Sequence, residues 1–208
     1  MELLKARYLS SSATFEDLPA SDTSEFCIFG RSNVGKSSFL NHVFGDTTLA
    51  RVSKAPGRTR LANSYSVSDG VIWIDLPGYG YAKAGGAEKE RWARLIGDYC
   101  ARRSNLRGII WLLDVRHPGT AQDKKAAAWL AEAGIPVLPV LTKCDTVSRN
   151  EASKNLRRYM QEFGFPALVR PVLYSIRDEA ARIRFIAAYG PWREAAIKET
   201  ACSALSSS

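Results

Sequence analysis

The chain has 208 residues, 46% hydrophobic and 24% charged, the make-up of one soluble globular domain with a sizeable core. Its 29 lysines and arginines against 21 acidic residues leave a net charge of +8, which suits an anionic partner such as RNA or an acidic membrane surface, or simple solubility. Four cysteines without a CxxC pair argue against a zinc site or a disulfide framework, and apolar runs no longer than "GIIWLLDV" argue against a membrane span.

In chain order, the opening "MELLKARYLS" lacks the apolar core and cleavage site of a signal peptide, so a reducing, cytoplasmic setting is expected. Residues 1–24 read as an extension packed on a domain that runs from 25 to 190. "EFCIFG" (25–30) is a strand candidate. It leads into "GRSNVGKS", which matches GxxxxGK[ST] and opens a helix predicted near 36–44. In that strand–loop–helix context the glycines bring successive N–H groups onto phosphate oxygens, and the helix N-terminus favours the anion. Lys36 supplies a positive charge to the β and γ phosphates, and the Ser37 hydroxyl is a magnesium ligand. Gly30, Arg31, Ser32, Asn33, Val34, Gly35, Lys36, Ser37 and Ser38 are therefore candidate nucleotide contacts.

Residues 45–62 have no clear period and carry Arg51, Lys54, Arg58 and Arg60, so they read as a long basic loop of the kind that is usually functional. Next come strand candidates "NSYSVS" (63–68) and "VIWIDL" (71–76), joined by Asp69-Gly70 as a tight hairpin. "DLPG" (75–78) ends the second of them. Asp75 there can hold magnesium, and the Gly78 N–H can meet the γ phosphate. DxxG alone is also good turn chemistry.

A helix is predicted near 87–103, then a strand "GIIWLLD" (108–114), a helix near 121–133 and a strand "IPVLPVL" (135–141). "TKCD" follows, from Thr142 to Asp145. A carboxylate at that strand end can accept from N1 and N2 of guanine, and adenine has no matching donors. GTPases usually have asparagine where Thr142 stands. Its hydroxyl could tie this loop to the phosphate loop. A helix near 150–163, a strand "LVRPVLY" (168–174), "YSIRD" and a helix near 178–189 complete the pattern, and residues 191–208 are expected to be a partly disordered tail.

Near-continuous apolar strands alternating with helices give an α/β fold. It has three layers and a six-stranded, mostly parallel sheet, with one antiparallel edge strand and helices on both faces. Trp73, Trp111 and Trp129 read as core, and the clusters Arg102-Arg103, Arg157-Arg158 and Arg182/Arg184 as solvated helix faces.

The order "GRSNVGKSS", "SKAPGRTR", "DLPGYGYAK", "DVRHPGTAQD", "VLTKCD" resembles the EngB family of P-loop GTPases, in the translation-factor-related class, over about residues 5–190. The resemblance implies binding of GTP and GDP with magnesium, GTP hydrolysis as a switch, and a role in large ribosomal subunit assembly linked to cell division and septation. It also implies a cytoplasmic monomer whose partners are the rRNA and ribosomal proteins of the large subunit or its precursor, with no membrane partner. It places Gly57, Arg58, Thr59, Arg60 and Leu61 in the first switch, with Thr59 beside Ser37 and Asp75 as a magnesium ligand. Lys36, Thr59 and Gly78 are then the catalytic candidates. Asp75, Leu76, Pro77 and Gly78, Thr142, Lys143, Cys144 and Asp145, and Tyr174, Ser175 and Ile176 complete the nucleotide site. Thr146 stands where a lysine is common, and "YSIRDEA" replaces the usual ending.

Tyr79 occupies the position after DxxG where many GTPases carry the glutamine that orients the attacking water. Slow intrinsic turnover is expected. Asn33 either holds a potassium ion against the phosphates or only stabilises the turn. Other readings stand beside the switch: a phosphotransferase using ATP, a membrane-recruited signalling GTPase, an RNA-binding module with a degenerate site, or another cytoplasmic regulatory GTPase. TKCD, the lack of a terminal lipidation cysteine, and intact Lys36, Ser37 and Asp75 argue against the first three in turn.

Overall fold

The structure, a computed structural model, describes residues 3–50, 61–80, 86–165 and 170–206. Strands β1 (Ala6–Ser12), β2 (Glu25–Gly30), β3 (Ala62–Val67), β4 (Ile72–Asp75), β5 (Leu106–Asp114), β6 (Val137–Thr142) and β7 (Val172–Leu173) form one sheet in the order β1-β3-β4-β2-β5-β6-β7. Helices α1 (Lys36–Phe44), α2 (Gly86–Arg102), α3 (Ala121–Ala133), α4 (Arg149–Phe163) and α5 (Glu179–Ser206) cover it. β4, β2, β5, β6 and β7 run parallel. The fold is the three-layer α/β arrangement expected, with helices packed on both faces of a mostly parallel sheet.

Alternation along the strands divides the core. Phe26 and Ile28 of β2 face a cluster with Phe39 and Leu40 of α1 and Phe185 and Tyr189 of α5. Cys27 and Phe29 face the opposite cluster, with Leu95 and Tyr99 of α2, Leu130 of α3 and Tyr159 of α4. Trp73 and Trp111 are buried as expected, one on each side, and Trp129 is half-buried.

Four expectations need correction. The sheet has seven strands, because the extension supplies β1, paired antiparallel with β3 and irregular between Tyr8 and Ser10. β3 is antiparallel to both neighbours, so the antiparallel strand lies one in from the edge. β7 keeps only two residues of the strand expected at 168–174, and residues 168–169 lie outside the described residues. Finally, α5 continues through Pro191 to Ser206 where a partly disordered tail was expected. The Trp192 ring packs on Phe26 and Tyr189, and Arg193 pairs with Asp69 at the β3–β4 turn, which holds the helix just past Pro191 against the sheet.

Two arginines assigned to solvated faces turn inward. Arg182 is buried, and its Nε donates to the Val43 carbonyl at 2.8 Å, at the C-terminal end of α1. Arg103 makes a two-pronged contact with the fully buried Glu25, Nη2 to Oε1 at 2.6 Å and Nε to Oε2 at 2.9 Å, while the Tyr99 hydroxyl donates to Oε2 at 2.9 Å. Arg103 also donates to the Pro19 carbonyl, so one side chain joins the extension, the start of β2 and the end of α2. Among the described residues no helix is long and apolar enough to cross a membrane. Arg103→Ala strands the Glu25 carboxylate and should cost about 3–5 kcal/mol, read from urea unfolding of the full chain.

Candidate functional site

The site lies at the C-terminal ends of the parallel strands. β2 ends at Gly30, and the chain turns through Asn33 at φ 64° and Gly35 at φ 105° before α1 begins at Lys36. Gly35 is the conformation that side chains resist, and Asn is the residue other than glycine that tolerates Asn33's. No side chain caps α1 and its first turn holds no acidic residue. Its first N–H groups and positive dipole end are therefore left for an anion. Val34 is buried, so only its backbone serves the loop. Arg31, Ser32, Ser37 and Ser38 are half-buried around it and Asn33 is exposed.

The DLPG segment is laced to this loop. The Leu76 N–H donates to the Ile28 carbonyl at 3.2 Å, Tyr79 N–H to Gly30 at 3.3 Å, and Ser32 N–H to Tyr79 at 2.8 Å. Gly78 fits because a Cβ there would lie 2.9 Å from the Ser32 backbone and 3.1 Å from Lys36 Nζ. Leu76 and Pro77 are buried and contribute only backbone. Asp75 is buried at the end of β4, and its Oδ1 has no hydrogen-bond partner among the described residues. Burial raises its carboxyl to about 6, against the opposing pull of Lys36.

An unsatisfied buried carboxylate oxygen near a lysine, with the Ser37 hydroxyl at the start of α1, is a donor set of the hard oxygens that magnesium takes. Among the described residues no cluster of His, Cys, Asp and Glu could hold a metal without further ligands. Thr59, with Gly57, Arg58 and Arg60, lies outside the described residues, as do the remaining residues of the basic loop from 51 to 60. Leu61 follows them, exposed, just before β3.

On the other side of β2, β6 delivers TKCD. The Thr142 hydroxyl donates to the Val34 carbonyl at 2.8 Å, with Leu113 O at 3.1 Å, so it does tie this loop to the phosphate loop. Lys143, at φ 63°, reaches across the phosphate loop: Nζ donates to Asn33 O at 2.6 Å and to Asp114 Oδ2 at 2.9 Å. Cys144 and Asp145 enter a short 3-10 turn. Asp145 Oδ1 accepts from the Ser175 hydroxyl at 2.8 Å, and Arg177 Nε stands 3.5 Å from Oδ2. Backbone bonds Cys144 N–H to Tyr174 O and Tyr174 N–H to Leu141 O fix the two segments together. The Tyr174 ring turns into the core, edge-on to Phe39 and Phe185 and bonded to His42 Nδ1, leaving its backbone at the site. Ile176 is exposed beside it.

Two features escaped sequence reasoning. Asp114, at the end of β5, joins Lys143 to a fork from Arg116, at 2.9 and 2.8 Å. Burial alone would raise its carboxyl, but the bonds from Arg116 and Lys143 hold it well below the usual range. The "DVRHP" segment marked this place without assigning it a role. Tyr79 donates from its phenol to the buried Asp123 at 2.8 Å and accepts from Trp111 Nε1 at 2.9 Å. Burial, with Asp123 beside it, pushes this phenol well above its ordinary value. The only signal in sequence was a bulky aromatic directly after DxxG.

A phosphate-binding turn held between DxxG and a carboxylate-bearing loop is the construction of a P-loop GTPase, and residues 25–143 match the family model described as "50S ribosome-binding GTPase". The chain is 38% identical to an EngB GTP-binding protein of Pelotomaculum thermopropionicum over 192 residues, 92% of this chain and 97% of the relative. It is 41% identical to one from Coxiella burnetii over 152 residues, 73% and 74% of the two chains. A solved EngB structure shares the fold with TM-score 0.66 at 19% identity, over 82% of this chain and 100% of that one. The chain belongs to the EngB family of GTP-binding proteins, and it is a GTPase.

Asp75 gives a pH test. Its carboxyl sits at about 6 in the fold against an ordinary 3.8. Between those values the folded state holds a proton that the unfolded chain has released, so this group costs stability as pH rises through the window and costs most above it. Asp75→Asn should therefore be the more stable protein above about pH 6, by no more than about 3 kcal/mol. The gain should vanish toward about pH 4, as thermal melts without nucleotide would show.

Proposed function

We propose that this GTPase acts as a nucleotide-controlled factor in large ribosomal subunit assembly, with the link to cell division that its family resemblance carries. The observation that supports a switch is the lacing of DLPG onto the phosphate loop through Gly78, Tyr79 and Ser32. A γ phosphate at that contact touches both segments at once. Its loss on hydrolysis frees the segment that follows, the general logic of a phosphate-held switch. The family description and the net charge of +8 support a ribosomal, RNA-rich partner.

Lys36 stands over the phosphates as a positive charge, and the N–H groups at the start of α1 hold them. Ser37 and Asp75 are the described residues that would hold magnesium, with Thr59 as a third ligand. Magnesium when bound supplies charge neutralisation on the β and γ phosphates. Asp145 selects guanine. The protein works as a monomer in the cytoplasm.

The partner test is cosedimentation with large subunits. Association should be stronger with a non-hydrolysable GTP analogue than with GDP, and should weaken as salt rises. Changing Arg51, Lys54 and Arg60 to Ala should weaken it and flatten the salt dependence. Equal binding in both nucleotide states would defeat the switch.

Hydrolysis is completed from outside. The Tyr79 phenol is spent on Asp123 and Trp111, so it cannot orient the attacking water. Turnover in sodium should be slow and should rise with large subunits. Potassium is the second candidate, held by Asn33, where a cation offsets charge in the transition state. Asn33→Gly keeps the positive φ and removes the side chain. Stimulation by potassium that disappears in this variant assigns the ion to Asn33, and stimulation that persists leaves Asn33 as a turn residue. Fast hydrolysis in sodium with no ribosome present would defeat outside completion altogether.

A further inference from the structure

Tyr79 joins the DLPG segment to two other parts of the domain. Its backbone belongs with the phosphate loop: the N–H donates to Gly30 O at 3.3 Å, and the carbonyl accepts from the Ser32 N–H at 2.8 Å. Its side chain belongs elsewhere. The ring lies against Phe29, centroids 4.9 Å apart, and the phenol is held at its tip between Trp111 Nε1 of β5 at 2.9 Å and Asp123 Oδ1 of α3 at 2.8 Å. Gly78 precedes it by one peptide bond, and the Gly78 N–H has no acceptor among the described residues. With residue 79 fixed at both ends, the peptide next to it is fixed as well. The segment touches α3 a second time at Gly80, where a Cβ would run into the Gln122 side chain.

Asp123 is buried, and among the described residues no cation pairs with it. The helix does not need its carboxylate as a cap. The Thr120 hydroxyl already caps α3 by accepting from the Asp123 N–H at 3.2 Å. The carboxylate instead takes the Thr120 hydroxyl on Oδ2 at 2.6 Å and offers Oδ1 to a phenol 44 residues away in the chain. It stands in the first turn of α3, where the positive end of the helix favours a negative charge. A buried carboxylate is tolerated only when it is hydrogen-bonded, and an apolar side chain would fill the same space without that penalty. What the carboxylate adds is direction. Ring contacts alone would let the phenol slide over Phe29, whereas a hydrogen bond holds its oxygen at one distance and angle.

We propose that Asp123 is a positioning residue for the γ phosphate: acting through the Tyr79 phenol, it fixes the peptide that carries the Gly78 N–H, and so favours GTP over GDP. Trp111 is the second holder of the same phenol. The proposal rests on Gly78 as the γ-phosphate contact, and the experiment separates the two.

Affinities of GDP and of a non-hydrolysable GTP analogue are measured by calorimetry on the full chain with magnesium, and their ratio is the quantity read. A general loss of stability weakens both nucleotides alike and leaves the ratio where it was. Tyr79→Phe keeps the ring and removes the hydroxyl. It should hold GDP within about twofold and weaken the analogue by about fivefold, the size of one net hydrogen bond. Asp123→Ala should shift the ratio by the same factor, and adding Tyr79→Phe to it should shift the ratio no further, because the two residues act as one unit. Asp123→Asn keeps an oxygen for the phenol and should stay within about twofold of the wild-type ratio. An unchanged ratio in Tyr79→Phe would overturn the proposal, whether or not the Asp123 variants fold. An Asn variant that shifts the ratio as far as Ala does would overturn the hydrogen-bond role. Gly78→Ala, whose Cβ meets Ser32 and Lys36, should weaken the analogue more than GDP. If it weakens both alike, the reading of Gly78 falls and the proposal with it. If it shifts the ratio while Tyr79→Phe does not, Gly78 keeps its role and Asp123 loses the one proposed.

Discussion

Everything at the nucleotide end depends on residues 30–35 holding a backbone shape that neither a strand nor a helix supplies. Asn33 and Gly35 sit at positive φ, and the turn must leave the first N–H groups of α1 uncovered. A turn of that kind does not hold itself. It is braced on one side by the Ser32–Tyr79 and Tyr79–Gly30 backbone bonds, and on the other by the Thr142 hydroxyl on Val34 and Lys143 on Asn33. The parallel order β4-β2-β5-β6 brings these braces to it. The sheet topology and the phosphate site are thus one construction.

The braces carry a cost in function. A hydroxyl that holds a carbonyl is not available to a ligand, and a phenol bonded to Asp123 and Trp111 is not available to a water molecule. Thr142 and Tyr79 stand where more familiar GTPases place asparagine and glutamine, and in both cases the side chain found here serves the scaffold. In both places the contacts run to the scaffold: Thr142 to Val34 and Leu113, Tyr79 to Asp123 and Trp111.

The parallel sheet, α1, α3 and α4 were legible because their signals are local: continuous apolar runs, a GxxxxGKS turn, and helical stretches alternating with the strands. β1 was not, because "ARYLSSS" has no apolar face and becomes a strand only through β3, far along the chain. α5 past Pro191 was hidden by a proline that usually ends helices, and Trp192 and Arg193 find partners only in the folded sheet. In the site, the motifs placed Lys36, Asp75, Thr142 and Asp145 without help. Asp114 and Arg116 went unassigned because their role is an ion pair with Lys143, and spacing alone does not say which charges meet. Arg103 looked like any helix-surface arginine, since its partner Glu25 opens an otherwise apolar strand.

The Glu25 clamp also sets how force passes through the molecule. Arg103 and Tyr99 fasten the end of α2 to the base of β2, whereas its beginning at Gly86 follows the segment that leaves DLPG. A rod fixed at one end is a lever with its fulcrum there. At 17 residues α2 is about 25 Å long, so a tilt of about 10° sweeps its far end through about 4 Å. The free end is the one next in the chain to DLPG, so α2 turns a shift on that side into a swing about the Glu25 clamp, while the base of β2 stays still.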